Sequence, residues 1–417
     1  MNEYLSMAKD NIAKCRKKDL AIFVKKDGRP VENCHVSVSQ KRHEFLFGAN
    51  CFDAGLYGGA EKNGRFDALF AEIFNYATLP YYWGSYEPEK GKTIEARLIY
   101  LNDWCDRLGL ERKGHPLHWH EVPPKWLRED DFPNLENMIK KRVRDIVSVF
   151  KDRVKMWDIA NEITRAKTFT DSGSSFNLIS RYEVEKGEAN VVDMLARLVL
   201  DIDPGAKLLL NECNLRKDDF SILLTELKDR KTPLYGIGLQ SHMHEGTNSL
   251  EYIWKQNDRY SAFGLPLHYT ELSILSGKAG GGVVDWYSPD GNKWIIDADS
   301  EEIQAREVED MYTILFGHPA VEAITWWDIV DGNWLSAPSG LVSREMAPKP
   351  AYDRLKKLIK EEWRTNASGL TGSNGAYTAS AFYGEYDIRA AVGSMAISRT
   401  YIHSKHGKEP SSVTIEL

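Results

Sequence analysis

The feature that most constrains the fold is a series of short apolar runs alternating with helical patterns. Eight runs have the composition of buried strands: 44–49, 73–79, 111–119, 154–160, 206–212, 235–241, 265–271 and 321–329. Amphipathic helical patterns, such as those over 135–153 and 191–203, lie between most of them. Strands that alternate with helices favour a parallel sheet covered by helices, and eight such units fit a (β/α)8 barrel. We therefore predict an α/β fold with a TIM barrel over residues 43–365.

The main alternative is a doubly wound sheet that binds a nucleotide. That fold normally places a glycine-rich phosphate loop, GxGxxG, after an early strand. The sequence contains no such run. The barrel is therefore the favoured architecture.

The two ends of the chain have a different pattern. An apolar run at 20–24, the turn pair Asp27-Gly28 and an alternating run at 34–38 predict a hairpin of half-buried strands. After a stretch rich in Gly, Ser and Asn at 366–375, alternation returns in three segments: 386–392, 395–402 and 412–417.

Neither end is long enough to fold reliably by itself, because chains below about 40–60 residues rarely do so. Together they have the size of one small domain. We therefore predict a β-sandwich-like accessory module built from residues 1–42 plus 366–417.

Composition excludes several classes of function. The chain has 54 basic and 61 acidic residues, a net charge of −7, which argues against nucleic-acid binding. No apolar run approaches the roughly 18 residues that a membrane helix needs, and the N-terminal segment shows no signal-peptide core. The five cysteines are widely spaced without a CxxC pair, which predicts free thiols. Compartment and oligomeric state stay open.

Polar and aromatic side chains accumulate where the predicted barrel strands end, which is where TIM barrels place reactive groups. Glu162 follows the fourth strand and Glu271 ends the seventh. Around them the strand ends supply further candidates: His115, His118, Trp119, His120, Asn161, Asn211, Glu212, Gln240, His242, His244, Trp326, Trp327 and Asp328. Two opposed carboxylates among Trp and Asn suggest glycoside hydrolysis through an oxocarbenium-like transition state. In that state a hydrogen bond from Asn161 to a sugar 2-hydroxyl would strengthen.

Two other functions fit parts of the same pattern. The histidines at 115, 118, 120, 242 and 244 form a set that could bind a metal. A barrel that binds sugar without cleaving it is also possible, although such barrels usually lack one of the carboxylates, and both are present here. Metal analysis and an assay for the release of reducing sugar from a polysaccharide distinguish these alternatives.

Seven segments in register resemble glycoside hydrolase family 10, the retaining endo-1,4-β-xylanases. They are KGHPLHWH (113–120), WDIANE (157–162), LLLNECN (208–214), GIGLQSHMH (236–244), YTEL (269–272), ITWW (324–327) and KPAYDRL (349–355). The resemblance implies that Glu162 is the acid/base and Glu271 the nucleophile. It also implies a substrate, xylan or xylo-oligosaccharide, and no cofactor or metal.

The resemblance further implies which side chains surround the reacting sugar. These are Asn161, His115, His120, Gln240 and His242, with Trp119 and Trp327 as aromatic walls and Trp334 in the loop after the eighth strand. Trp286, Tyr287 and Trp294, in the loop after the seventh strand, could line the leaving-group side.

The chain departs from the family at two places. Family members usually carry Glu-Asn-x-x-Lys-Trp after the second strand, whereas this chain has Tyr81 and Tyr82 near that position. We expect an altered glycone side, so another β-linked glycan or a decorated oligosaccharide is the alternative substrate. The family also has Asp two residues after the nucleophile, where this chain has Ser273. We expect this change to alter the pH profile, because a carboxylate beside His242 would favour its cation.

Overall fold

The computed structural model describes residues 2–170, 176–282, 284–285, 291–407 and 411–417. The strands are, in chain order, β1 (Lys17–Lys26), β2 (Arg29–Pro30), β3 (His35–His43), β4 (Leu46–Asn50), β5 (Tyr76–Pro80), β6 (Glu111–His115), β7 (Met156–Asn161), β8 (Lys207–Glu212), β9 (Gly236–Leu239), β10 (His242–Met243), β11 (Leu267–Ile274), β12 (Lys278–Ala279), β13 (Trp294–Ile295), β14 (Val321–Trp326), β15 (Asn366–Leu370), β16 (Ala376–Phe382), β17 (Gly384–Val392), β18 (Met395–His403) and β19 (Ser412–Glu416).

The α-helices are α1 (Glu3–Cys15), α2 (Ala60–Ile73), α3 (Trp83–Tyr86), α4 (Glu95–Leu108), α5 (Leu135–Phe150), α6 (Phe176–Lys186), α7 (Glu188–Ile202), α8 (Asp219–Asp229), α9 (Leu250–Ser261), α10 (Ser300–Gly317) and α11 (Pro350–Lys357). Two 3₁₀ segments (Glu129–Asn134 and Ile163–Thr168) and a π turn (Leu358–Glu362) complete them. None of the described helices is both long enough and apolar enough to cross a bilayer.

The chain divides into two compact units. One consists of Met1–Leu46, Ala305–Pro319 and Pro350–Leu417, and the other of Phe47–Gln304 and Ala320–Lys349. The domain limits inferred above, at residues 42/43 and 365/366, stay a prediction.

The larger unit contains a closed parallel barrel, as predicted. Its strands are hydrogen-bonded in the order β11, β14, β4, β5, β6, β7, β8, β9, and the pairing of β9 with β11 closes the ring. Strand β7 is buried along its whole length, which explains why these strands appear as continuous apolar runs. Helix α5 carries an apolar stripe with spacings of three and four residues, which buries Ile139, Val143 and Ile146.

The smaller unit contains two four-stranded sheets, β16-β1-β19 with β2 on β1, and β15-β3-β17-β18. Both sheets contribute to one buried core. Its apolar members include Leu20, Ile22, Val24, Val36, Val38, Ile388, Ala390, Val413 and Ile415. Because the inward residues alternate along each strand, one sheet face is apolar and the other stays polar.

One expectation for this unit was wrong. The Asp27-Gly28 turn joins β1 to the two-residue β2, whereas the segment over 34–38 becomes β3 of the other sheet and pairs with β15 and β17. The first part of the stretch at 366–375 forms β15, for which the sequence analysis predicted no strand. The small side chains of β15 show no apolar alternation, so only its backbone pairing with β3 defines it as a strand.

Candidate active site

The carboxyl ends of the barrel strands hold both predicted carboxylates. Glu162 follows β7 directly, with a φ of 53°, and Glu271 lies within β11. Ser241 and Asp328, which follow β9 and β14, also have positive φ values, 63° and 66°. Such backbone conformations cost about 1–3 kcal/mol each in non-glycine residues and concentrate at functional sites. The strain therefore marks this end of the barrel as a candidate site.

A chain of amide groups joins the two carboxylates. Gln240 Nε2 donates to Glu162 Oε1 at 2.8 Å and to Asn161 Oδ1 at 3.1 Å. Asn211 Nδ2 donates to the same Asn161 oxygen at 2.8 Å and to Glu271 Oε1 at 2.8 Å. A Cβ at Gly238 would lie 2.6 Å from Asn211 Oδ1, so this position requires glycine for the amide to keep its place. The structure thus places Asn161 and Gln240 beside Glu162, and Asn211 connects this network to Glu271.

Glu271 is buried among positively polarised groups. His242 Nε2 lies 3.0 Å from its Oε2, and His115 Nε2 lies 3.8 Å from its Oε1. Burial alone would raise the pKa of Glu271, but the hydrogen bond from His242 and the charges of His115, His242 and Lys113 lower it below its ordinary value. This environment keeps Glu271 ionised, as a nucleophile must be.

His115 is held by a buried ion pair inside the barrel. Its Nδ1 lies 2.7 Å from Asp158 Oδ2, and Lys113 Nζ lies 2.6 Å from the same oxygen. Burial would raise the pKa of Asp158, but Lys113 and His115 lower it. The Asp158 contact fixes the ring of His115 with Nε2 directed at Glu271.

Glu162 has a different set of neighbours. Arg165, in the 3₁₀ turn after β7, donates to its Oε2 and also binds Glu121 at 3.0 Å. Behind it lies Glu212, which accepts hydrogen bonds from the hydroxyl and backbone N–H of Thr164. Burial and the charge of Glu162 raise the pKa of Glu212. The two candidate carboxylates therefore have different partners: Glu162 accepts from Arg165 and Gln240, whereas Glu271 contacts His242 and Asn211.

Aromatic rings surround the carboxylates. Trp327 contacts His115 and His242 edge-on, at centroid distances of 5.6 and 6.1 Å. Trp334 stacks on His242 at 5.0 Å with an interplanar angle of 15°. The two indole rings are perpendicular to each other, with centroids 6.3 Å apart, and each supplies an apolar face of the kind that sugars contact.

Only one of the two predicted tyrosines reaches this group. Tyr82 lies 5.5 Å from His115 and 5.7 Å from Trp119, measured between ring centroids, and burial raises its pKa well above the ordinary value. Tyr81 instead packs in the core against Trp157 and receives a hydrogen bond from Asn102 at 3.1 Å. The expectation that Tyr81 contacts sugar is therefore corrected, because its side chain points to the helical layer.

His120 is buried behind Trp119. It shares Glu183, on α6, with His118: the contacts are 3.0 Å from His120 Nδ1 and 2.8 Å from His118 Nε2. Burial would lower the pKa of His120, but the Glu183 carboxylate raises it. Among the described residues no group of three or more His, Cys, Asp or Glu side chains is arranged to hold a metal.

Asp328, one of the strand-end candidates, lies near Tyr82, and Asp53, which was not predicted, lies near Asp328. Burial raises the pKa of Asp328 to about 7, a hydrogen bond with Asn50 opposes the shift, and the charges of Asp53 and Glu271 add to it.

Of the loop aromatics, Trp294 donates to Leu335 O at 3.3 Å, whereas Trp286 and Tyr287 lie outside the described residues.

The family model described as glycosyl hydrolase family 10 matches residues 49–358. Anti-sigma-I factor RsgI6 of Acetivibrio thermocellus is 26% identical over 401 residues, which cover 94% of this chain and 47% of that protein. Endo-1,4-beta-xylanase 1 of Arabidopsis thaliana is 25% identical over 422 residues, which cover 97% and 40% respectively. The chain thus spans about half or less of the length of these relatives.

Solved structures agree with the barrel. Xylanase 10B from Thermotoga petrophila RKU-1, in complex with xylobiose, superposes with a TM-score of 0.62 at 21% identity, covering 76% of this chain and 95% of that one. At this identity the likeness concerns the fold. The solved structure covers about three-quarters of the chain, whereas the two curated relatives match more than nine-tenths of it.

Proposed function

Since the chain belongs to glycosyl hydrolase family 10, we propose that it is a retaining endo-1,4-β-xylanase acting on xylan or xylo-oligosaccharides. The observation that supports this most directly is the pair of buried carboxylates, Glu162 and Glu271, connected by one amide network but placed in unlike electrostatic environments. The curated xylanase relative and the barrel likeness support the substrate class.

In the first half-reaction Glu271 attacks the anomeric carbon while Glu162 gives its proton to the leaving oxygen. The C–O bond to the leaving sugar breaks as the glycosyl ester forms. Asn161 would donate to the 2-hydroxyl, where hydrogen bonding strengthens as the oxocarbenium character develops. His115 and His242 keep the attacking carboxylate ionised until it reacts.

In the second half-reaction Glu162 takes a proton from water, which attacks the ester and restores Glu271. The configuration is retained because two displacements occur at one carbon. Gln240 holds Glu162 in place for both steps through its 2.8 Å hydrogen bond. This chemistry uses no cofactor.

Glu162→Ala tests the acid/base role. Removing a general acid costs about 10²–10⁴-fold on xylan, whereas an aryl glycoside with a good leaving group needs no proton and should be cleaved far better. Glu121→Ala is the matched control, because Glu121 binds the same Arg165 without touching Glu162. Equal losses of activity on xylan and on the aryl glycoside would contradict the acid/base role of Glu162. If the unaltered protein releases no reducing sugar, the proposal that it is a hydrolase is wrong.

A second candidate is the same chemistry on another β-linked glycan or a decorated oligosaccharide. Tyr82 and the nearby Asp328 support it, since the family's Glu-Asn-Lys set is absent. Products from purified β-glycans, resolved by chromatography, distinguish the two. A kcat/KM highest on linear xylan would exclude this alternative.

A further inference from the structure

Glu183, on α6, contacts two residues of the segment that follows β6. Its Oε1 lies 2.8 Å from His118 Nε2, and its Oε2 lies 3.0 Å from His120 Nδ1. All three side chains are buried. One carboxylate therefore holds the two residues that flank Trp119.

The carboxylate of Glu183 is charged in this setting. Burial would raise its pKa, but the charges of His120 and His118 and their contacts with the acid lower it. An ionised carboxylate only accepts hydrogen bonds and offers two oxygens, so it can attract both rings at once. Separating a buried charge from its partners is costly. The acid and the two histidines therefore stay together.

The ring of Trp119 has no polar anchor of its own among the described residues. Its Nε1 is buried there without a hydrogen-bond partner. Its ring contacts are Tyr82, at 5.7 Å between centroids, and His120, at 6.5 Å. The chain around it, residues 116–128, forms no helix or strand. The position of the ring therefore depends on what holds the residues beside it.

Neighbouring elements hold that segment at several points. The backbone N–H of Asn161, at the end of β7, donates to His118 O at 3.0 Å, and Arg165 binds Glu121 at 3.0 Å. Glu183 differs from these tethers because it acts on both residues that flank the tryptophan. Its loss would free the tryptophan on both sides while the strand β7 stays in place.

We propose that Glu183 is a positioning residue that sets where the ring of Trp119 stands as a wall for the reacting sugar. This inference rests on the proposed function and on the place that the family resemblance gives to Trp119. Glu183 lies behind the segment and acts through the two histidines. A wall that has moved fits the transition state less well, so the loss should appear in kcat/KM.

The first test observes the ring directly, by ¹⁹F NMR of the full chain labelled with 5-fluorotryptophan. The Trp119 signal is assigned by its loss in Trp119→Phe. Glu183→Gln keeps the size of the side chain but leaves one acceptor oxygen and no charge, so it should move this signal. Glu185→Gln is the matched control on the same helix, because Glu185 is exposed and lies 3.9 Å from Arg181. The control should leave the signal in place.

A double-mutant cycle on xylo-oligosaccharides tests the connection to catalysis. With Trp119 present, Glu183→Gln should lower kcat/KM about tenfold, the size of one aromatic contact. In the Trp119→Ala background the same substitution should change kcat/KM less than about twofold, because the ring through which it acts is absent. A role in stability alone predicts the same factor in both backgrounds.

A Trp119 signal that Glu183→Gln leaves unmoved would overturn the proposal, and so would equal losses of kcat/KM in the two backgrounds. If Glu183→Gln does not fold, His118→Asn breaks the Oε1 contact alone and enters the same two measurements, with a moved signal and a loss dependent on Trp119 expected again. The NMR signal is read without substrate. If the unaltered protein releases no reducing sugar from xylan, the proposed function is wrong, and the signal still reports whether Glu183 sets the ring.

Discussion

Asp328 offers a quantitative test of the site's electrostatics. Its carboxyl is buried, and its pKa of about 7 exceeds the usual 3.8 because of burial and the nearby charges of Asp53 and Glu271, which outweigh the hydrogen bond with Asn50. We expect Asp328→Asn to remove the cost of ionising this group while keeping its size. Asparagine keeps a hydrogen-bonding partner for Asn50.

The size and sign follow from linkage. At pH values between the usual pKa of 3.8 and the raised pKa of about 7, Asp328 is protonated in the folded protein but ionised in the unfolded chain. The free energy of unfolding therefore falls as the pH rises through this range. At about 1.4 kcal/mol per pKa unit, three units correspond to roughly 4 kcal/mol. The free energy of unfolding of Asp328→Asn, measured relative to the unaltered protein, should therefore rise by about 3–4 kcal/mol from pH 4 to pH 8.

Urea unfolding followed by tryptophan fluorescence at pH 4, 6 and 8 measures this difference. Asp201→Asn, at an exposed position on α7, is the control and should leave the pH dependence unchanged. A constant offset between Asp328→Asn and the unaltered protein across the three pH values would refute the reasoning.

Two further pairs of substitutions test other parts of the site. Tyr82→Ala should lower kcat/KM on xylo-oligosaccharides about tenfold, the loss of one aromatic contact of roughly 1–1.5 kcal/mol; Tyr81→Phe should leave kcat/KM unchanged and cost about 1 kcal/mol of stability through its Asn102 hydrogen bond. Equal kinetic losses would contradict the placement. Lys113→Met should cost about 3–5 kcal/mol in urea unfolding, because it leaves Asp158 charged and buried. Adding Asp158→Asn should recover much of that loss, and no recovery would argue against the pair.

The barrel could be predicted because its strands are buried on both faces. Strand β7 has no exposed residue, so the sequence shows an apolar run where a half-exposed strand would alternate.

The terminal sheets were predicted less well. Strand β15 presents Asn, Ala, Ser and Gly to its neighbours, and only its backbone bonds to β3 reveal it.

The two acids and the strand-end side chains beside them could be named from the sequence because strand ends meet at one rim, but the contacts that come from the helical layer could not. Glu183 contacts His118 and His120 from α6, about sixty residues later in the chain, without any local motif. Tyr81 and Tyr82 show a second limit. Adjacent side chains after a strand point to opposite layers, and the sequence does not say which one enters the barrel mouth.

The charges of the site bear on its substrate. Where the resemblance to the family implies lysine, the described residues place Tyr82 near Asp328, which interacts electrostatically with Asp53 and Glu271. An acidic sugar substituent near Tyr82 would meet negative charge in a buried setting, where unpaired charges are costly. A neutral sugar would meet a phenol and, below about pH 7, a protonated carboxyl that can donate a hydrogen bond. We therefore expect uncharged glycans to be preferred over acidic ones on this side, and this preference should strengthen as Asp328 ionises.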